Sequence, residues 1–521
     1  MKRTLSIILV LIMTMTLLVG CGSTTTQTPT PETSGSESTG PSRDTVNLSI
    51  NATWTTCDPH ATSYVQDRVI LWQMYNGLMH YNELTGTADF DLATSYDVSE
   101  DGMTYTFKLR DDVYFHNGDK MNVSDVAFSI MRATDPNMAI SQYGTNIVSA
   151  TAIDGTTVEV QLACAYAPFI TTCCQLFILS EREVTEQGDK FGVEISTAGT
   201  GPYKLTYLDN DAKISLEAFD KYYKGEASIK YVNFYPITDS AAGLISFESG
   251  DIDWYNCGVM DAQRIEMEGK FNVEFMAVNH MTFMAINPNS SNKALQNEKV
   301  RKAIAYAINK EELNMAAFEG LGQTADYLEN PDWNIGAPKG DVVYNYDPEM
   351  AKQLLAEAGY PDGVDVGNIL CFKGSHFETC ATVIQQELEA VGIHAKLEWN
   401  EQATTLDRGK KKDYDIFVTG GNCSGDYDNL RKRFYSPLST TYVDYTTTEY
   451  DANYLDTRME EAAGCIDPAK RLEITKEVND YLMNTATYLP LLHKAVAFVW
   501  NKDLNVVNRP VNPIIYDWSW N

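Results

Sequence analysis

The sequence predicts an α/β protein, β-rich early in the chain and α/β later. Three observations carry this. Residues 104–110, TYTFKLR, alternate strictly between apolar and polar. Between Glu298 and Thr419, helix and strand patterns follow one another. Between the two regimes lies Gly199-Thr200-Gly201-Pro202-Tyr203, whose glycines suit a tight crossing that needs positive φ. From about Thr45 to Asn521 the chain is long enough for two or three domains.

In TYTFKLR, Tyr105, Phe107 and Leu109 share one face and Thr106, Lys108 and Arg110 the other, which predicts a half-buried strand. Asp101-Gly102 and Asn117-Gly118 are turn signals around it. A helix follows, N-capped by Asn122, with Val123, Val126, Ile130 and Met131 as its apolar stripe. Later, Glu298–Ile308 reads as a helix with Val300, Ile304, Ala307 and Ile308 on one face. Asp347-Pro348 starts another that Gly359 ends. Glu378–Val391 is a third, stopped by Gly392. Ile393, Ala395, Leu397 and Trp399 then alternate with His394, Lys396 and Glu398, giving a strand, and Asp415–Thr419 reads as a further buried strand. Such alternation implies a largely parallel sheet, with ligands beyond the carboxyl ends of strands. The loop from Gly420 to Asn429 follows one such end. Asp467-Pro468 caps a last helix running to about Met483.

The first residues are organised differently. Lys2 and Arg3 precede an apolar run from Thr4 to Gly20, too short for a comfortable bilayer span and matching a signal peptide over residues 1–20. Leu18-Val19-Gly20-Cys21 resembles a bacterial lipobox, which implies that Cys21 is lipidated and becomes the mature N-terminus. From Gly22 to Asp44, Ser, Thr, Pro and Gly dominate without a bulky apolar residue, so residues 21–44 are expected to be an anchor and a flexible linker. As a random coil this linker spans roughly 25–30 Å.

The net charge is −31, and −33 once Lys2 and Arg3 leave with the signal. A chain so acidic is not expected to bind nucleic acid phosphates. Nine cysteines besides Cys21 are scattered, without C-x-x-C spacing, and do not read as a disulfide framework or as a zinc site. The seven histidines show no metal-ligand spacing, and His116 and His394 read as surface or structural. Hydrolase and P-loop signatures are absent. No catalytic residue, metal site or cofactor is therefore expected.

Three stretches together carry a resemblance. The first comprises Asp58-Pro59-His60, Tyr75-Asn76-Gly77-Leu78 and DGMTYTFKLRDDVYFHNGDKMNVSDVAFSIMRA, Asp101–Ala133. The second is Gly199–Tyr203 with FDKYYKG, Phe219–Gly225, and LISFESGDIDWY, Leu244–Tyr255. The third is VRKAIAYAINKEEL, Val300–Leu313, the helix at Pro348, and DYDIFVTGGNCSGDYDN. In order and spacing these resemble the family 5 extracellular solute-binding proteins, receptors of bacterial ABC importers, over essentially the whole mature chain. Individually each element also has a plain scaffold reading, and none reports the ligand.

The resemblance implies a two-lobed periplasmic-binding-protein-like fold of the class II, cluster C type, with an extra β-rich domain. Residues 45–85, 200–290 and 490–521 are assigned to a discontinuous lobe I, 86–199 to the extra domain and 291–489 to lobe II. It further implies a monomeric, extracytoplasmic protein, lipid-anchored to the cell membrane, that captures a short peptide by lobe closure and hands it to ABC permease subunits. A nickel chelate, haem or an oligosaccharide is the alternative ligand on the same scaffold; Trp54, Trp72, Trp254, Trp333 and Trp399 could supply sugar platforms. A surface-anchored hydrolase is the alternative of another class. In peptide-binding relatives an aspartate after the Ile416 strand receives the ligand ammonium, which points to Asp426 with Cys423, Ser424, Gly425 and Tyr427 around it. The competing reading is that Asp426 and Asp428 form a polar turn. Cys423 stands where many peptide binders carry Trp. Lys373 lies roughly where dipeptide-binding relatives keep a basic residue, with an ordinary solvated lysine as its other reading. Tyr64, His280 and Met281 are the candidates from lobe I.

Overall fold

The computed structural model describes residues 43–423, 425–436, 451–510 and 513–521. The signal segment, Cys21, Ser424 and all but the last two residues of the linker lie outside the described residues.

Local chemistry explains most elements. Thr104–Leu109 is a strand with Tyr105, Phe107 and Leu109 buried, each contributing about 1.5–3 kcal/mol by leaving water. Val123–Arg132 begins in a capping box: the Asn122 side chain accepts from the Ser124 and Asp125 amides while the Asp125 carboxylate accepts from the Asn122 amide. Val123, Val126 and Ile130 face the core, with Met131 half-buried beside them. Asp347 and Asp467 cap helices Pro348–Glu357 and Pro468–Asn484, each with proline in its first turn. Gly359, φ +93°, and Gly392, φ +87°, follow the ends of helices Pro348–Glu357 and His376–Ala390 in conformations that L side chains disfavour.

An eleven-stranded sheet organises the chain. At one end Ile393–Asn400, Val364–Phe372 and Ile416–Asn422 pair in parallel. At the other, Thr45–Ile50 pairs in parallel with Tyr231–Pro236, and the rest of that end is mostly antiparallel. The sheet is therefore mixed, and the parallel strands Val364–Phe372 and Ile393–Asn400 are connected by the crossover helix His376–Ala390. Two long antiparallel strands, Asn272–Ile286 and Tyr488–Trp500, join the ends. Their first-lobe halves pair with one another and, through Tyr488–Trp500, with Trp254–Cys257; the other half of Asn272–Ile286 pairs with Ile416–Asn422. The register shifts between Ala277 and Met281. The return crossing falls near His493–Ala495.

Separate apolar cores lie under these parts. One surrounds Met281–Ile286 and the helices that follow, and a second lies beneath Val46–Ile50 and Val232–Phe234. A third spans Leu78 to Ile178 under a four-stranded antiparallel sheet. The Gly199–Gly201 crossing is tight for another reason than positive φ. A Cβ on Gly199 would stand 2.1 Å from the Met74 carbonyl oxygen, and one on Gly201 2.4 Å from the Met74 carbonyl carbon. Glycine is needed there for backbone approach. His116 fixes the same crossing: it is buried and hydrogen-bonds the Gly201 carbonyl through Nε2 at 3.0 Å. His394 is exposed beside Glu389.

Among the described residues the nine cysteines form no disulfide, and no helix is long and apolar enough to cross a membrane.

Candidate functional site

A cavity of about 850 Å³ opens where the three cores meet. The helix Val65–Met74 supplies Arg68 and Trp72, the C-terminal segment supplies Arg509, and Asn279 comes from the strand crossing. The extra domain supplies His80, Tyr81, Tyr166 and Thr171. The second lobe supplies Trp333, Cys423, Gly425, Asp426, Asp428 and Arg431.

The strand Ile416–Asn422 delivers the second-lobe wall. It runs three residues past Thr419, because Gly420, Gly421 and Asn422 pair with Thr282, Met281 and His280. The loop expected from Gly420 therefore starts at Cys423. Asp426 then caps a short 3₁₀ turn, Tyr427–Leu430, by accepting from the Asp428 amide at 2.8 Å. The polar turn is real, and the same carboxylate does more. Arg471 donates to both of its oxygens, Nη1 to Oδ2 at 3.0 Å and Nη2 to Oδ1 at 2.5 Å, in a pair that is almost wholly buried. Thr171 of the extra domain adds a hydroxyl at 3.3 Å. Asp426 thus meets the cavity with a guanidinium already bound behind it.

Asp428 is held differently. Tyr166 donates its hydroxyl to Oδ2 at 2.8 Å, and Arg431 stands 3.6 Å from Oδ1. Burial raises the Asp428 pKa, with Asp426 adding to it and Arg431 opposing it. The Tyr81 hydroxyl donates to the Trp333 carbonyl. A Cβ on Gly425 would stand 2.5 Å from the Tyr81 ring, so only glycine admits that ring. Ala167 donates to the Ala463 carbonyl at 2.7 Å. The extra domain and the second lobe therefore meet directly along the cavity.

The opposite wall is cationic. The Arg68 guanidinium lies 5.0 Å from the Phe177 ring centroid and 5.6 Å from that of Trp72, and donates to Gln175 Oε1 at 2.9 Å. Trp72 meets His80 edge-on at 5.7 Å, and burial lowers the His80 pKa. Arg509 pairs with Asp517 at 2.6 Å, but its buried Nε, like that of Arg431, has no acceptor among the described residues.

Of the residues expected from the sequence, Cys423, Gly425 and Asp426 line the cavity. Ser424 lies outside the described residues, and the other candidates are placed elsewhere. Tyr64 precedes the helix at 65 and is about half exposed, while its neighbours Ser63 and Val65 reach the cavity. Met281 is fully buried, because the alternation of its strand turns it into the second-lobe core, where Tyr488 packs on it. His280 faces the rings of His376 and Phe377 instead of the cavity. Tyr427 is buried beneath the turn. Lys373 is exposed just past the strand Val364–Phe372 and does not line the cavity. Of the tryptophans, Trp72 and Trp333 line it, whereas Trp54 and Trp254 belong to the first-lobe core. Arg68, Tyr81, Tyr166 and Arg471 were not legible beforehand. No local sequence pattern marks Arg68 or Arg471.

Known proteins share this arrangement. The middle-region profile of the bacterial extracellular solute-binding proteins, family 5, matches residues 89–442. The glutathione-binding protein GsiB of Shigella flexneri serotype 5b is 26% identical over 476 residues, 88% of this chain and 91% of that one. The ABC transporter substrate-binding protein CtaP of Listeria monocytogenes superposes with a TM-score of 0.80 at 21% identity, covering 92% of this chain and 99% of its own. The periplasmic binding protein DppA of Helicobacter pylori, solved with the peptide STSA, gives a TM-score of 0.69 at 22% identity, covering 92% and 98%. The fold is that of the periplasmic binding proteins, and the chain belongs to the family 5 bacterial extracellular solute-binding proteins, the substrate-binding components of ABC importers.

Proposed function

We propose that this protein is a lipid-anchored receptor that captures a short peptide between its lobes and delivers it to an ABC permease. The observation that carries this reading is the cavity of about 850 Å³ walled by both lobes and the extra domain. Its size lies in the usual range for small-ligand sites, about 300–1,000 Å³. Polar groups of both signs stand in its walls, Asp428 on one side and Arg68 on the other, which suits a zwitterionic solute. Closing the lobes around it is a hinge motion at the two strand crossings. Asp426 contributes to the ammonium end as part of its pair with Arg471. The relative named for glutathione and the one solved with a peptide support this ligand class.

Cys21 is the anchor in this reading. A diacylated cysteine supplies two acyl chains, enough for stable membrane attachment. The linker through Asp44 then lets a monomeric receptor reach its permease.

Native mass spectrometry of freshly purified mature protein, followed by a thermal-shift screen, tests the reading. Di- to pentapeptides or glutathione should raise the melting temperature, because they bind the folded state alone. Stabilisation by a sugar, haem or a nickel chelate, with no response to any peptide, would replace it. Cys21→Ala should release the protein from the membrane fraction; continued attachment would remove the anchor from the proposal.

A further inference from the structure

Arg68 differs from other well-buried arginines of the chain. Arg132 pairs with Asp58, Arg433 with Glu329 and Arg471 with Asp426. Arg68 is only 9% exposed, yet among the described residues it makes no ion pair. Its partners are the Gln175 amide oxygen and the faces of Phe177 and Trp72, all neutral. The adjacent Asp67 cannot serve, since its carboxylate accepts from Thr55 and Thr62. An arginine stays protonated in a protein. A buried cation without an anion is costly and persists where something else supplies the counter-charge. Arg509, which also lines the cavity, has a buried Nε without an acceptor among the described residues. The wall is thus electropositive within a chain of net charge −31.

We infer that Arg68 receives a carboxylate of the bound solute, so that the solute must carry a free acid group directed at the Val65–Met74 helix. A guanidinium matches a carboxylate with two parallel N–H donors. Trp72 and Phe177 flank its plane, and Gln175 takes up one donor, which leaves the remaining N–H groups for the solute. This rests on the cavity being the solute site; it adds which chemical group is read, and by which residue. The acid could be a peptide C-terminus, a side-chain carboxylate or a non-peptide acid, and the probes below separate these.

The test uses the mature protein and its Arg68→Gln and Arg68→Lys variants in titration calorimetry. The probes are Gly-Gly-Gly and its C-terminal amide, glutathione and its diethyl ester, and succinate. The wild type should bind at least one free acid about tenfold or more tighter than its blocked form. Arg68→Gln should bring acid and blocked form within about twofold of each other, and Arg68→Lys should recover part of the preference. Unfolding curves of the ligand-free variants check that each folds, because Arg68 also contacts Gln175, Phe177 and Trp72. Equal binding of acid and blocked form by the wild type overturns the assignment, as does an acid preference that survives in Arg68→Gln or silence towards every acid. Peptide binding that ignores Arg68 would leave the peptide reading standing and sink this one. Arg68-dependent binding of succinate alone would do the reverse.

Discussion

Arg471 grips both carboxylate oxygens of Asp426, with Nη1 to Oδ2 at 3.0 Å, forty-five residues away in sequence and almost wholly out of water. Each charge makes the burial of the other tolerable. Asp426→Asn should therefore leave Arg471 as an unpaired buried cation and lower the free energy of unfolding by about 3–5 kcal/mol. Pairing it with Arg471→Met should recover much of that loss. Urea unfolding of the single and double variants measures both. Unchanged stability in Asp426→Asn, with only peptide affinity reduced, would show instead that the carboxylate serves the ligand.

Tyr166 reaches from the extra domain to Asp428 with a 2.8 Å hydrogen bond. Hydrogen bonds to charged groups contribute about 1.5–3 kcal/mol, and burial already disfavours the charge on Asp428. Tyr166→Phe should cost that much in thermal or denaturant unfolding. A loss below about 0.5 kcal/mol would mean that solvent replaces the hydroxyl.

Gly201 has no room for a methyl group: its Cβ would lie 2.6 Å from the Gln73 carbonyl oxygen, and its amide donates to Met74 at 2.8 Å. Gly201→Ala should destabilise by about 1–3 kcal/mol through backbone displacement. Gly421→Ala, with nothing within 4 Å, is the control and should stay within about 0.5 kcal/mol. Equal effects would refute the close-approach account.

His280, His376 and His493 converge near the strand crossings. Burial lowers their pKa values to about 4, 3 and 4, and the facing cations Lys494 and Arg433 oppose protonation of His280. Unfolded, each titrates near 6.5. Between about pH 6.5 and 4 the unfolded chain binds more protons, so stability is present above 6.5 and falls on acidification. The slope approaches about 1.4 kcal/mol per pH unit for each ring. His493→Gln should consequently lose less stability than the wild type between pH 7 and pH 5 in urea unfolding. Parallel losses would show that the ring is not held neutral.

What proved legible was local. The face carrying Tyr105, Phe107 and Leu109, the caps at Asn122, Asp347 and Asp467, and the glycines at 359 and 392 each act within a few residues of themselves, so the chain displays them directly. The strand at Ile416 was also readable, but its end was not. Gly420–Asn422 has little strand propensity of its own and is held extended by pairing with Thr282–His280, more than 130 residues earlier.

The cavity was the least legible part. The turn at Asp426 could be located from its sequence context, and three of the candidates named there, Cys423, Gly425 and Asp426, do reach the cavity. The partners of that turn could not. Arg471, Thr171 and Tyr166 come from a helix and two segments that only the meeting of the extra domain and second lobe brings together. Nor does a helix sequence say that Arg68 is buried, since a single arginine among apolar residues reads equally as a solvated charge.

The sequence by itself determined the scaffold: which segments are helices and strands, where they are capped, and which family pattern they form. Those properties follow from side-chain period and short-range hydrogen bonding. Only the tertiary structure decided which charges are neutralised within the protein and which still face the cavity. Asp426 and Arg68 look alike as isolated charged residues. Among the described residues one finds a buried counter-ion and the other does not, because ion pairing depends on distances between segments that the linear chain does not encode locally.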